Sequence, residues 1–155
     1  MHPYRTFFLM IVSSAILMFL LMYLNIYQAS DVWFSQTRLF MTLIMAGAMV
    51  LVMFFFMRHM YKDRTKNIAI VISGLGLIAL GLLLVRTQAT VGDVAYMKGM
   101  IPHHSIALLT SERAKIKDPR VRRLADQIID AQKKEIAQME GLIKDIEQSG
   151  VKDAP

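Results

Sequence analysis

The stretch Met97-Lys98-Gly99-Met100-Ile101-Pro102-His103-His104 puts two thioethers and two imidazoles within eight residues. Thioether sulfur is a soft ligand that selects Cu(I) or Ag(I), and imidazole binds copper in either oxidation state. On a helix turning by about 100° per residue, Met100 and His104 fall within about 60° of Met97. His103 lies at the edge of that face, about 120° from Met97. Ala107 and Ser111 continue the stripe with small side chains. Hard Mg²⁺ and Ca²⁺ prefer oxygen ligands, and a di-iron carboxylate site needs Glu-x-x-His pairs that this stripe lacks. Zinc could use His103, His104 and Glu135, but it gives no reason for three methionines. The chain has no cysteine, which excludes disulfides and thiolate sites.

The polar counterparts stand on a second helix. Val121, Ala125, Ile128, Gln132, Glu135, Met139 and Ile143 read as one apolar stripe, on which Gln132 and Glu135 are out of place. A buried carboxylate is costly without a partner. A turn at Lys117-Asp118 pairs the two helices antiparallel and brings His104 level with Gln132, Met100 with Glu135 and Met97 with Met139. The odd polar residues thus meet the Met/His cluster, and this match in register marks a site. Two plainer readings compete. Methionine is a common filler of helical cores, and His104 could bond to Glu135 with no metal. Pro102 either kinks the first helix or starts a shorter one.

The elements that must position these residues follow from local signals. Thr87 to Gly92 reads as a polar linker, after which Asp93 can cap a helix reaching about Ile116. Asp118-Pro119 starts the next helix, with Asp as cap and Pro at the first helical position, and Ser149-Gly150 stops it. The water-soluble part, residues 87–155, is therefore an antiparallel hairpin of two amphipathic helices. Two helices alone bury little core. Dimerisation into a four-helix bundle is the expected remedy, with packing on the chain's own membrane helices as the alternative.

Residues 1–86 are a different material. Segments 7–24, 39–57 and 68–85 contain no Asp, Glu, Lys or Arg, whereas the chain from Arg86 onward carries 12 basic and 10 acidic residues. Roughly 20 apolar residues span a bilayer, so three transmembrane helices are predicted, over about 7–27, 39–57 and 68–85. The first run is long for a signal peptide and Tyr27-Gln28-Ala29 is a poor cleavage site, which favours a retained anchor. Tyr23 and Trp33 fit an interfacial aromatic belt. Arg58, Lys62, Arg64 and Lys66 between the second and third spans, opposed only by Asp63, predict a cytoplasmic loop and N-terminus. Between the first and second spans, Asp31 and Arg38 cancel. The hairpin then lies on the periplasmic or extracellular side of a bacterial cytoplasmic membrane. The net charge of +6 is placed for topology, not for nucleic acid. Gly74 and Gly81 share one face of the third span, with Ala69 and Ser73 as a second small pair. Met41, Met45, Met49, Met53 and Met57 form an i, i+4 row that drifts by about 40° per step, which suits apolar filler better than an ion path. His2 carries no assigned role.

From Asp93 to Ile143 the chain resembles the domain of unknown function 305 family. The resemblance rests on Tyr96-Met97-x-Gly99-Met100-Ile101-Pro102-His103-His104 and on Asp118-Pro119-x-Val121-x-x-Leu124-Ala125-x-x-Ile128-Ile129-x-x-Gln132-x-x-Glu135-Ile136-x-x-Met139. It implies a ferritin-like helical bundle, often exported, with periplasmic copper-binding relatives. It also implies Met97, Met100, His103, His104 and Met139 as ligands, with Glu135 and Gln132 as supporting or weak ligands.

The expectation is an all-α, membrane-anchored envelope protein that holds Cu(I), and also Ag(I), for tolerance or delivery, with a metal donor or acceptor protein as partner. The rival is a hairpin that oligomerises with no metal role. A single carboxylate on the stripe and no nucleophile motif argue against an enzyme. The spans hold no ionisable residue, which argues against a transporter.

Overall fold

In hydrocarbon only a helix or a closed barrel pairs every backbone N–H and C=O, so long charge-free runs favour helices. The computed structural model describes residues 3–149, and the regular elements among them are all helical. The helices are α1 (Pro3–Leu21), α2 (Gln36–Met57), α3 (Arg64–Thr87), α4 (Asp93–Arg113) and α5 (Pro119–Ser149). Single 3-10 turns occupy Ala29–Asp31 and Arg58–Met60. α1, α2 and α3 are long and apolar enough to cross a membrane. Gly150 of the expected helix stop, like His2, lies outside the described residues.

The chain divides into two compact units. Among the described residues, those from Pro3 to Met22 form one with Thr37–Ala89, and Tyr23–Gln36 form the other with those from Thr90 to Ser149. The sequence draws one boundary between residues 86 and 87; the structure adds the loop between α1 and α2 to the hairpin. The first expected span accordingly ends early, at Leu21 and not at Tyr27. Its last polar residues are engaged elsewhere: the Tyr27 N–H donates to Ser105 Oγ at 2.7 Å, and Tyr23 Oη accepts the Ser35 N–H at 3.0 Å.

In the unit of α1–α3, close backbone approach does the work that hydrophobicity cannot do between helices in lipid. α2 and α3 meet where glycine leaves room. A Cβ on Gly47 would lie 2.6 Å from the Gly74 carbonyl oxygen, and one on Gly81 would lie 2.9 Å from that of Phe40. The face through Gly74 and Gly81 is the one used, whereas Ala69 and Ser73 are exposed. α1 joins through Phe7 and Ile11, buried with Val50 and Tyr61. The Tyr4 hydroxyl clasps the start of α3, accepting the Asp63 N–H and donating to Asn67 Oδ1, each at 3.0 Å. Met49, Met53 and Met57 pack against this cluster, while Met41 is 44% exposed. The methionine row therefore fills packing gaps over part of its length, as its drift predicts.

In the hairpin unit, α5 follows a 3.5-residue repeat. Ala125, Ile129, Gln132, Ile136, Met139, Ile143 and Ile146 alternate by four and three, the spacing of a packed helical seam. Ile136 and Ile143 are buried against Val94, Met97, Ile101 and Leu108 of α4. This corrects the expected stripe, which puts Glu135 and Val121 in the seam. Both are exposed and Ile136 is buried, because two rows share Ala125, Gln132, Met139 and Ile143, and α4 packs against the one that carries Ile129 and Ile136. The loop Tyr23–Gln36 gives α4 a second covering. Asp31 is fully buried, Ser35 nearly so, and Trp33 packs against the same core.

Candidate metal site of the hairpin

α4 begins after Gly92, which takes the cap position expected of Asp93, and it ends at Arg113, short of Ile116. Pro102 lies inside the helix and is buried, so it does not start a shorter one. It leaves the Lys98 carbonyl without its usual i+4 N–H. α5 starts as expected: Asp118 Oδ1 accepts the Arg120 N–H at 2.8 Å. The Arg120 side chain beside it holds the Asp118 carboxyl below its usual pKa. Across the hairpin, Lys98 Nζ reaches Glu147 Oε1 at 2.6 Å and lies 5.5 Å from the centre of the Trp33 ring.

The structure sorts the candidate ligands into two groups. Met97, 7% exposed, belongs to the apolar core, and the half-buried Met139 packs against the same cluster. Met97 and Met139 thus share one core, but the register is not the expected one: Lys98 pairs with Glu147, and Glu135 meets His104 and not Met100. The second group gathers around His104. Its Nδ1 lies 3.1 Å from Glu135 Oε2, where the expected neighbour was Gln132, one helical turn earlier. The distance suits an ion pair, but the alignment does not make a hydrogen bond, and Nδ1 is buried with no hydrogen-bond partner. Burial pushes the His104 pKa below its ordinary value, with the nearby His103 adding to this and Glu135 opposing it. Burial thus favours the neutral imidazole, against the pull of the Glu135 carboxylate. The His103 ring centre is 6.0 Å from that of His104, yet His103 is exposed. Met100 and Gln132 are half-buried. Among the described residues, no three His, Asp or Glu side chains group closely enough to hold a metal ion, so a zinc set of His103, His104 and Glu135 is not assembled. Any ion here would depend on sulfur.

Sequence reasoning missed a buried polar cluster one residue away. Ser105, fully buried, donates to Asp31 Oδ2 at 2.5 Å and accepts the Tyr27 N–H. Gln28 Nε2 and Ser30 Oγ also donate to Asp31 Oδ1, at 3.0 and 3.3 Å. The Tyr27 hydroxyl bonds to Glu112, which lowers the Glu112 pKa and raises that of Tyr27. Gly99 of the motif lies under the same loop, since a Cβ there would come within 3.2 Å of Ser35 Oγ. Asp31 and Ser105 are 74 residues apart, and no local pattern links them.

Residues 93–154 match the family model described as Domain of unknown function (DUF305). An uncharacterized protein of Acanthamoeba polyphaga mimivirus is 34% identical over 116 residues, covering 73% of this chain and 74% of that protein. The chain belongs to the domain of unknown function 305 family. The 116 residues shared with the viral protein exceed the segment that the DUF305 model covers, so the likeness reaches back into the apolar helices. No solved structure matches this DUF305 chain.

Proposed function

We propose that this DUF305 protein is a membrane-anchored carrier of Cu(I), and of Ag(I), acting in tolerance or delivery by coordination and transfer and not by bond-making catalysis. The observation that carries the reading is the His104 imidazole, whose buried Nδ1 lies 3.1 Å from Glu135. Met100, one turn before His104 on α4, supplies a half-buried thioether, and Met97 and Met139 supply two more from the core behind it. Neutral sulfur and nitrogen donors suit a soft monovalent ion, and the Glu135 carboxylate offsets its charge. His103 and Gln132 stand at the margin as weaker ligands. The basic loop after α2 orients the chain with that loop and the N-terminus in the cytoplasm, which puts the hairpin on the outer face of a bacterial cytoplasmic membrane.

Metal content of the detergent-purified protein after Cu(I) loading tests this. Replacing Met97, Met100 and His104 together by Leu, Leu and Ala is expected to abolish stoichiometric copper; unchanged stoichiometry would defeat the proposal.

One observation favours a second reading, a self-assembling module. Val121, Leu124 and Leu142 are about half exposed on α5, beside the packed seam. On that reading the purified protein is a dimer that chelators leave intact and that Leu124→Lys with Leu142→Lys dissolves, as sedimentation would report.

A further inference from the structure

The α1–α3 unit contains a groove of about 820 Å³ between α1 and α3, with α2 at its base. Ile11, Ala15 and Ile16 line one wall, and Ala69, Ser73 and Gly76 the other. Small side chains on α3 keep the groove open: a Cβ on Gly76 would meet nothing within 4 Å. The Ser73 hydroxyl is turned to the Ile70 carbonyl at 2.8 Å, so it makes no polar demand on an occupant. The only charged lining residue is Lys66, which stands with Tyr4 at one end. Its ammonium is 5.2 Å from the centre of the Tyr4 ring and 3.2 Å from Asp63, and the side chain remains 53% exposed. Arg58, Lys62 and Arg64 precede it, so this end of the unit is strongly basic.

Length and charge suit a lipid tail. From Tyr4 to Ile16 the groove follows about 18 Å of helix at 1.5 Å per residue. Its walls are apolar along that length and its one charged end is basic, which suits an extended hydrocarbon chain with an anionic headgroup.

We propose that this groove binds an acyl chain of an anionic phospholipid, whose phosphate pairs with Lys66 at the basic end. The apolar walls hold the tail without regard to headgroup, and Lys66 supplies the preference for negative charge. A surface lysine paired with Asp63 is not thereby spent, because exposed ion pairs are weak and an ammonium has three donors.

Native mass spectrometry of the full chain released from detergent, with dioleoyl phosphatidylglycerol or dioleoyl phosphatidylcholine added, tests the site. The wild-type chain is expected to retain one phosphatidylglycerol in preference to phosphatidylcholine. Gly76→Leu fills open space and is expected to lower retention of both lipids about tenfold. Ala69→Leu on the same wall is a second filler, and circular dichroism of both variants checks that the helices persist. Lys66→Gln is expected to remove about fivefold from phosphatidylglycerol retention and leave phosphatidylcholine unchanged. The proposal is overturned if both folded fillers retain lipid as the wild type does, or if the wild type shows no headgroup preference. It is equally overturned if the groove variants abolish a dimer instead of a lipid adduct, since a second copy would then be the occupant.

Discussion

The two units of this chain are both helical, yet they are held together by different physics. In the α1–α3 unit, buried glycines bring backbones into contact, and the polar clasp of Tyr4 with Asp63 and Asn67 sits at one end. In the hairpin unit, an aliphatic seam is sealed on its far side by a loop that carries a fully buried carboxylate. Solvent explains the contrast. Water drives the hairpin's apolar side chains together, whereas lipid is as apolar as leucine and leaves only packing and hydrogen bonds. Deleting side-chain volume should therefore damage the hairpin most, and adding volume should damage the spans most.

The largest effect is expected from Ile143→Ala or Ile101→Ala, each truncating a side chain with almost no exposed surface. A loss of about 2–5 kcal/mol is expected, read as earlier thermal unfolding of the hairpin with the apolar helices unchanged. An equal loss of helicity in both units would break the comparison. Gly47→Leu asks the opposite question, because its Cβ meets a backbone oxygen that cannot swing aside. It is expected to cost about 1–3 kcal/mol in the α1–α3 unit and to leave hairpin hydrogen exchange unaltered.

Asp31→Ala sharpens the comparison within the hairpin unit. Removing the carboxylate strips the Ser105 hydroxyl of its acceptor, at a cost of about 1–3 kcal/mol. Faster exchange of the Tyr27 amide is the direct readout, and unchanged exchange would mean that the loop is held by Trp33 and Ser35 alone. The smallest effect is a pH dependence from His104. Its folded pKa lies below the ordinary value of 6.5, so below about that pH the unfolded chain binds more protons than the native one. Hairpin stability is therefore full above that value and falls as pH drops through 6.5 toward the lowered pKa. Melting at pH 7.5 and 5.5 measures it, and His104→Leu should flatten the difference.

Much of this architecture is legible without coordinates. Charge-free runs identify the three apolar helices, since burying a charge in hydrocarbon is too costly for the pattern to have another meaning. Asp118-Pro119 identifies the start of α5 and Gly74 with Gly81 the contact face of α3, because caps and close approaches depend on one or two residue types. The antiparallel pairing of the Met/His stretch with α5 is legible as well, since a short turn dictates it; its register is not, because Glu135 meets His104 and not Met100. Tertiary structure decided the rest. Whether Glu135 or Ile136 enters the seam depends on which of two rows sharing Ala125, Gln132 and Met139 faces α4, which no single helix reveals. The burial of Asp31 against Ser105 joins segments 74 residues apart, and only the folded chain brings such distant polar groups close enough to satisfy one another.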